Sequence, residues 1–97
     1  MSLNKIYKEY PKAYNSWINS EARTFFNFFD SHKIFITITA DYYGSMEYHP
    51  TIYEEGEKVY FWINVNWVWE DDIEYKNRTE AEYAAFTKAF EILEGKL

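Results

Sequence analysis

A histidine that titrates near neutral pH is the side chain best suited to passing protons, and strand pairing can bring Thr37, Glu47 and Asn64 beside His49. That cluster would be a general base with polar helpers. A flat sheet face, however, offers no pocket to exclude water or aim an oxyanion hole, so catalysis is not expected there. Asp30-Ser31-His32 holds the three residue types of a hydrolase triad, but triads are built from groups that converge in space, and three neighbours on one turn diverge. Glu70-Asp71-Asp72 with Glu74 could offer carboxylates to a divalent cation. The run lacks the alternating D-x-D-x-D-G spacing and the glycine turn of calcium loops, so a solvated loop is the expectation and no metal is assigned. Asn77-Arg78-Thr79 matches a glycosylation sequon, which matters only in a secreted chain. The sequence contains no cysteine, which removes thiolate nucleophiles, disulfides, Fe–S clusters and cysteine-ligated zinc together. Gly44, Gly56 and Gly95 are the three glycines; all are expected at turns or a helix end, leaving no phosphate-cradling loop and no implied cofactor.

The elements that position these residues follow from period. Tyr14, Trp17, Ile18, Ala22, Phe25, Phe26 and Phe29 recur at spacings of three and four, the mark of an amphipathic helix. Pro11 suits its first turn, where a missing N–H costs nothing, and Leu3 to Tyr10 form a short preceding turn or helix. Asn19-Ser20 is a point of interruption, because both side chains compete for backbone hydrogen bonds. After turn chemistry at Asp30-Ser31-His32 the period changes to two. Ile34, Ile36, Ile38 and Ala40 alternate with Phe35, Thr37, Thr39 and Asp41. Further alternating runs cover Met46 to Glu54 and Lys58 to Trp69. Thr79-Glu80-Ala81-Glu82 reads as a capping box opening a last helix, with Tyr83, Phe86, Phe90, Leu93 and Leu97 as its stripe, Ala85 and Ala89 beside it, and Gly95 as its C-terminal cap. The order is α-β-β-β-α: a single α+β domain over residues 1–97, built as a three-stranded antiparallel meander with two helices packed on one face.

Parity fixes which residues share a face, since a slip of one residue turns every side chain over. A Tyr42-Tyr43-Gly44 loop, with Gly44 left-handed, sets Ala40 against Met46, Ile38 against Tyr48 and Ile34 against Ile52. An even second loop sets Ile52 against Val59; the odd alternative would pair Ile52 with Tyr60 and mix the faces. Pro50 falls in the central strand and predicts a bulge or bend there. On this register the open face reads Phe35–Thr51–Tyr60, Thr37–His49–Trp62, Thr39–Glu47–Asn64 and Asp41–Ser45–Asn66. Phe35, Thr37, His49, Tyr53, Tyr60, Trp62 and Asn64 are therefore the candidate interaction residues. Aromatic anchors dominate interface energy, so a protein partner or a second copy is the expected occupant.

Composition narrows the class. In 97 residues the chain carries four Trp, ten Tyr and eight Phe, with 47% hydrophobic residues and 27% charged, too apolar for intrinsic disorder. The net charge of −6 and scattered Lys and Arg argue against binding nucleic acid. The same acidity suggests an alternative function, in which a small acidic protein imitates the charge spacing of DNA and blocks a DNA-binding enzyme. No apolar run reaches the length of a membrane span, and Met1 to Tyr10 hold no apolar leader core. A cytoplasmic location is expected.

Two segments resemble small uncharacterised proteins of bacterial prophages and mobile elements: Tyr10-Pro11-Lys12-Ala13-Tyr14 with Trp17, and Arg78 to Glu82 leading into Ala85-Phe86-Thr87-Lys88-Ala89-Phe90-Glu91-Ile92-Leu93. The resemblance spans roughly a third of the chain and implies an accessory protein of a phage or mobile element, with no activity, cofactor or catalytic residue attached. The expectation from sequence is thus a non-enzymatic interaction module that uses its open sheet face.

Overall fold

The computed structural model describes residues 3–42, 44, 46–54, 57–61 and 77–97, with 57–61 as backbone. Its first third folds as three short helices: α1 (Leu3–Glu9), α2 (Pro11–Ile18) and α3 (Phe25–Ser31). Pro11 occupies the first turn of α2, and the helix stops at Asn19, where the Ser20 hydroxyl donates to the Trp17 carbonyl at 2.7 Å. The chain restarts at Thr24, whose Oγ1 accepts the Asn27 N–H at 3.1 Å, as an N-cap should. This break changes the buried set. Ile18, on the stripe of a continuous helix, is exposed, while Ala13 and Phe28 are fully buried.

The end of α3 is closed by hydrogen bonds of 2.9 Å from the His32 N–H to the Phe29 carbonyl and from the Lys33 N–H to the Asp30 carbonyl. Lys33 takes φ of +64°, the left-handed conformation that usually falls to glycine at a helix end. From there the chain enters β1 (Ile34–Tyr42), turns, and returns as β2 (Met46–Glu54). Gly44 has the expected positive φ, +83°. The register, however, is displaced by two from expectation: Tyr42, not Ala40, stands opposite Met46, and Ile36, not Ile34, stands opposite Ile52. An even displacement keeps every residue on its face, which is why parity alone did not expose it.

The backbone of β3 (Glu57–Phe61) lies beside β2, giving the order β1-β2-β3; the rest of the expected run to Trp69 lies outside the described residues. Glu54 pairs with Glu57 and Tyr53 with Lys58, as an even loop requires, but the register then shifts and Ile52 pairs with Tyr60. The bulge was expected at Pro50. It falls instead between Ile52 and Tyr53 on the β3 side, while Pro50 is buried opposite Ile38 in an unbroken β1–β2 ladder. An extra residue on β3 is the usual content of such a bulge, and it changes the pairing parity from that point on.

The last helix, α4 (Arg78–Lys96), starts two residues before the expected capping box: Asn77 Oδ1 accepts the Glu80 N–H at 2.9 Å, so Asn77 and not Thr79 is the cap. Gly95 lies inside the helix rather than terminating it, and Tyr83 and Leu97 are exposed rather than on the buried stripe. Ala81, Ala85, Phe86, Ala89, Phe90 and Leu93 carry the buried face. Alanines at every fourth position let the helix approach closely, and the space is filled by rings from α3. Phe25 meets Phe86 and Phe90 at centroid distances of 5.0 and 5.5 Å, and Phe29 meets Phe90 edge-on at 5.0 Å. Two long-range contacts tie the layer together. Glu94 Oε1 accepts the Ala13 N–H of α2 at 2.8 Å, and Lys96 Nζ lies 2.6 Å from Glu54 Oε2 of β2.

The architecture is α+β, helices over an antiparallel sheet. Among the described residues there are four helices rather than the expected two: the short leading segment is a helix of its own, and the interruption at Asn19-Ser20 with the Thr24 cap divides what the period alone joins. Burial under the helical layer is concentrated at one end of the hairpin. Ile34, Ile36, Pro50 and Ile52 are buried, whereas Ala40, Tyr42 and Met46 at the far end of the same face are exposed.

Candidate interaction face

The side of the hairpin away from the helices is built from the odd-numbered residues. Its rows are Phe35–Tyr53, Thr37–Thr51, Thr39–His49 and Asp41–Glu47. The displaced register thus brings Phe35 and Tyr53 directly opposite one another, where sequence had set Phe35 against Thr51. Directly opposed residues stand about 4.5–5.5 Å apart at Cβ, the distance of strongest cross-strand contact. Both remain substantially open to solvent, Phe35 at 37% and Tyr53 at 38%.

At the other end of the face His49 lies between two carboxylates, with Nε2 3.7 Å from Glu47 Oε1 and 3.9 Å from Asp41 Oδ2. Thr39, not Thr37, is the residue opposite His49; Thr37 sits one row nearer the aromatic pair. These separations are those of ion-pair neighbours rather than of hydrogen bonds. Among the described residues no group of three or more His, Asp or Glu is placed to hold a metal ion.

Of the other candidates, Tyr60 stands opposite Ile52 rather than Thr51 by backbone register, and Phe61 takes the position opposite Thr51. Trp62, Asn64 and the Glu70–Glu74 carboxylates lie outside the described residues. The Asp30-Ser31-His32 run does not converge: the Ser31 hydroxyl donates to the Phe28 carbonyl at 2.6 Å, as a helix-terminal serine does. His32 instead lies 3.4 Å from the Ser16 hydroxyl of α2 and packs edge-on against Phe28 at 4.9 Å. Nothing in the spacing of Ser16 and His32 announces that contact, because a turn and a helix restart intervene. On the helical side, burial first, and then the carboxylates of Glu91 and Glu9, raise the Tyr10 phenol above its ordinary pKa.

No family model, curated protein or solved structure matches the chain. No helix among the described residues is long and apolar enough to cross a membrane.

Proposed function

We propose that the chain is a non-enzymatic protein-interaction module whose open sheet face docks a protein partner or a second copy of itself. The supporting observation is the Phe35–Tyr53 row, two opposed aromatics more than one-third exposed on the face the helices leave bare. Aromatic side chains of this kind supply much of the energy of protein interfaces. The reading takes the sheet as the three-stranded meander expected from the alternation through Trp69. It places the protein in the cytoplasm, where an accessory protein of a phage or mobile element would act by binding. The acidic-mimic alternative has no comparable support: Glu54, one of the carboxylates it would display, is held by Lys96 at 2.6 Å.

Sedimentation across a wide concentration range and affinity capture from bacterial cytoplasm test the reading together. Self-association or a captured partner is expected for the wild type, and its loss is expected for Phe35→Ala with Tyr53→Ala at unchanged thermal stability. A protein that stays monomeric and whose captured partners are indifferent to both substitutions would overturn it.

A further inference from the structure

We infer that β1 is a dimerisation edge, pairing antiparallel with β1 of a second copy about a two-fold axis through Thr37. This surface is the strand's rim and not the open face, so the two assignments stand or fall separately.

The edge is long, and among the described residues it is unpaired. β1 runs for nine residues at one end of the strand order, and its ladder to β2 has no register shift. Among the described residues no backbone hydrogen bond reaches β1 from outside its own sheet. Soluble proteins normally blunt such edges with a lysine, a proline, a bulge or an inward charge. Ile34-Phe35-Ile36-Thr37-Ile38-Thr39-Ala40 contains none of these. An edge so rich in β-branched residues is a template for another strand.

Charge and parity select the occupant. The first charged residues on either side of that stretch are Lys33 and Asp41, of opposite sign and placed symmetrically about Thr37. A second copy running antiparallel with Thr37 opposite Thr37 therefore sets each Lys33 opposite the other copy's Asp41. It also sets Ile36 opposite Ile38 and Ile34 opposite Ala40, so the apolar face continues across the junction. Moving the axis to Ile36 or Ile38 leaves the charges without each other, and moving it between residues mixes the faces.

Burial along β1 supplies an independent observation. A two-fold axis perpendicular to an antiparallel sheet leaves both helical layers on the same side but over opposite ends of the paired strands. Ile34 and Ile36 are buried at one end of the strand and Ala40 and Tyr42 are exposed at the other, with Arg78 of α4 lying 5.4 Å from the centre of the Tyr48 ring opposite Ala40. Each copy's exposed strand end consequently lies beside the other's buried end.

The absence of cysteine makes the register testable in the full chain. Under mild oxidation Thr37→Cys is expected to give a disulfide-linked dimer, since the two Cys would oppose each other; Thr39→Cys, whose opposite is Phe35, is expected to give none. In sedimentation equilibrium, Lys33→Asp or Asp41→Lys alone should weaken the dimer by about three- to tenfold, and the double reversal should restore it. Tyr53→Ala should leave this dimer intact, which separates it from docking through the open face. A monomer at millimolar concentration, cross-linking at both or neither position, or reversals that fail to rescue each other would overturn the inference. A dimer lost with Tyr53→Ala and indifferent to the charge reversals would assign self-association to the open face instead.

Discussion

Lys33 is where local conformation and residue type disagree most plainly. Its φ of +64° lets α3 end and β1 begin within two residues, and a side chain in that region crowds its own carbonyl. Lys33→Gly removes the clash and is expected to raise stability by about 0.5–1 kcal/mol, less the backbone freedom that glycine adds to the unfolded chain. The urea midpoint of the monomer measures it; a decrease would mean that the lysine side chain contributes more by packing than it costs by conformation. Capping shows how far single residues are legible. Thr79 with Glu82 has the spacing of a capping box, yet Asn77 is an equally good cap two residues earlier and is the one used. Both side chains satisfy the same local rule, and sequence carries no term that ranks them. Thr24, which restarts α3, interrupts a stripe of aromatics whose period is continuous.

At the scale of elements, period and parity were informative and register was not. The switch from a helical to an alternating pattern near Lys33 is where the fold changes, and the odd and even faces of the β1–β2 hairpin are assigned correctly because the displacement of its register is even. The second ladder is different: its bulge inserts one residue, and the Ile52–Tyr60 pairing that parity had excluded is present. Turn length and bulge position depend on backbone hydrogen bonding rather than on side-chain type, so alternation cannot locate them. Element docking was also illegible. Tyr10 makes no side-chain cap for α2; the free N–H of Ala13 is taken by Glu94, 81 residues away, at 2.8 Å. A carboxylate at a helix N-terminus satisfies a donor and meets the positive end of the helix dipole. Glu94→Ala should therefore cost about 1 kcal/mol, with Glu94→Gln recovering part of it. Amide exchange at Ala13 should quicken in both variants and most in alanine; an unchanged rate would show that packing alone seats α2 on α4.

Across the described residues the decisive fact is that burial on the helical side of the hairpin is concentrated at one end. The chain measures 42 Å in its longest dimension against 24 and 22 Å in the others, and the hydrophobic cluster of Phe28, Phe29, Ile34, Ile52 and Phe90 gathers the helices over one end of β1 and β2. Alternation in the sequence implied an apolar face along the full strand, and the side chains are indeed there. Stability should accordingly be carried by one end of a continuous strand. Ile52 is fully buried in the row with Ile36, and Ile52→Ala leaves a cavity in the hydrophobic cluster. The cost should be about 2–5 kcal/mol. Met46, on the same face of the same strand, is 40% exposed opposite Tyr42, which is 70% exposed. Met46→Ala should change stability by no more than about 0.5 kcal/mol in the monomer. Urea unfolding at dilute concentration decides between this and uniform cover: equal losses at the two positions would mean that the far end of the hairpin is packed in solution, and a large difference that it is left for another surface to cover.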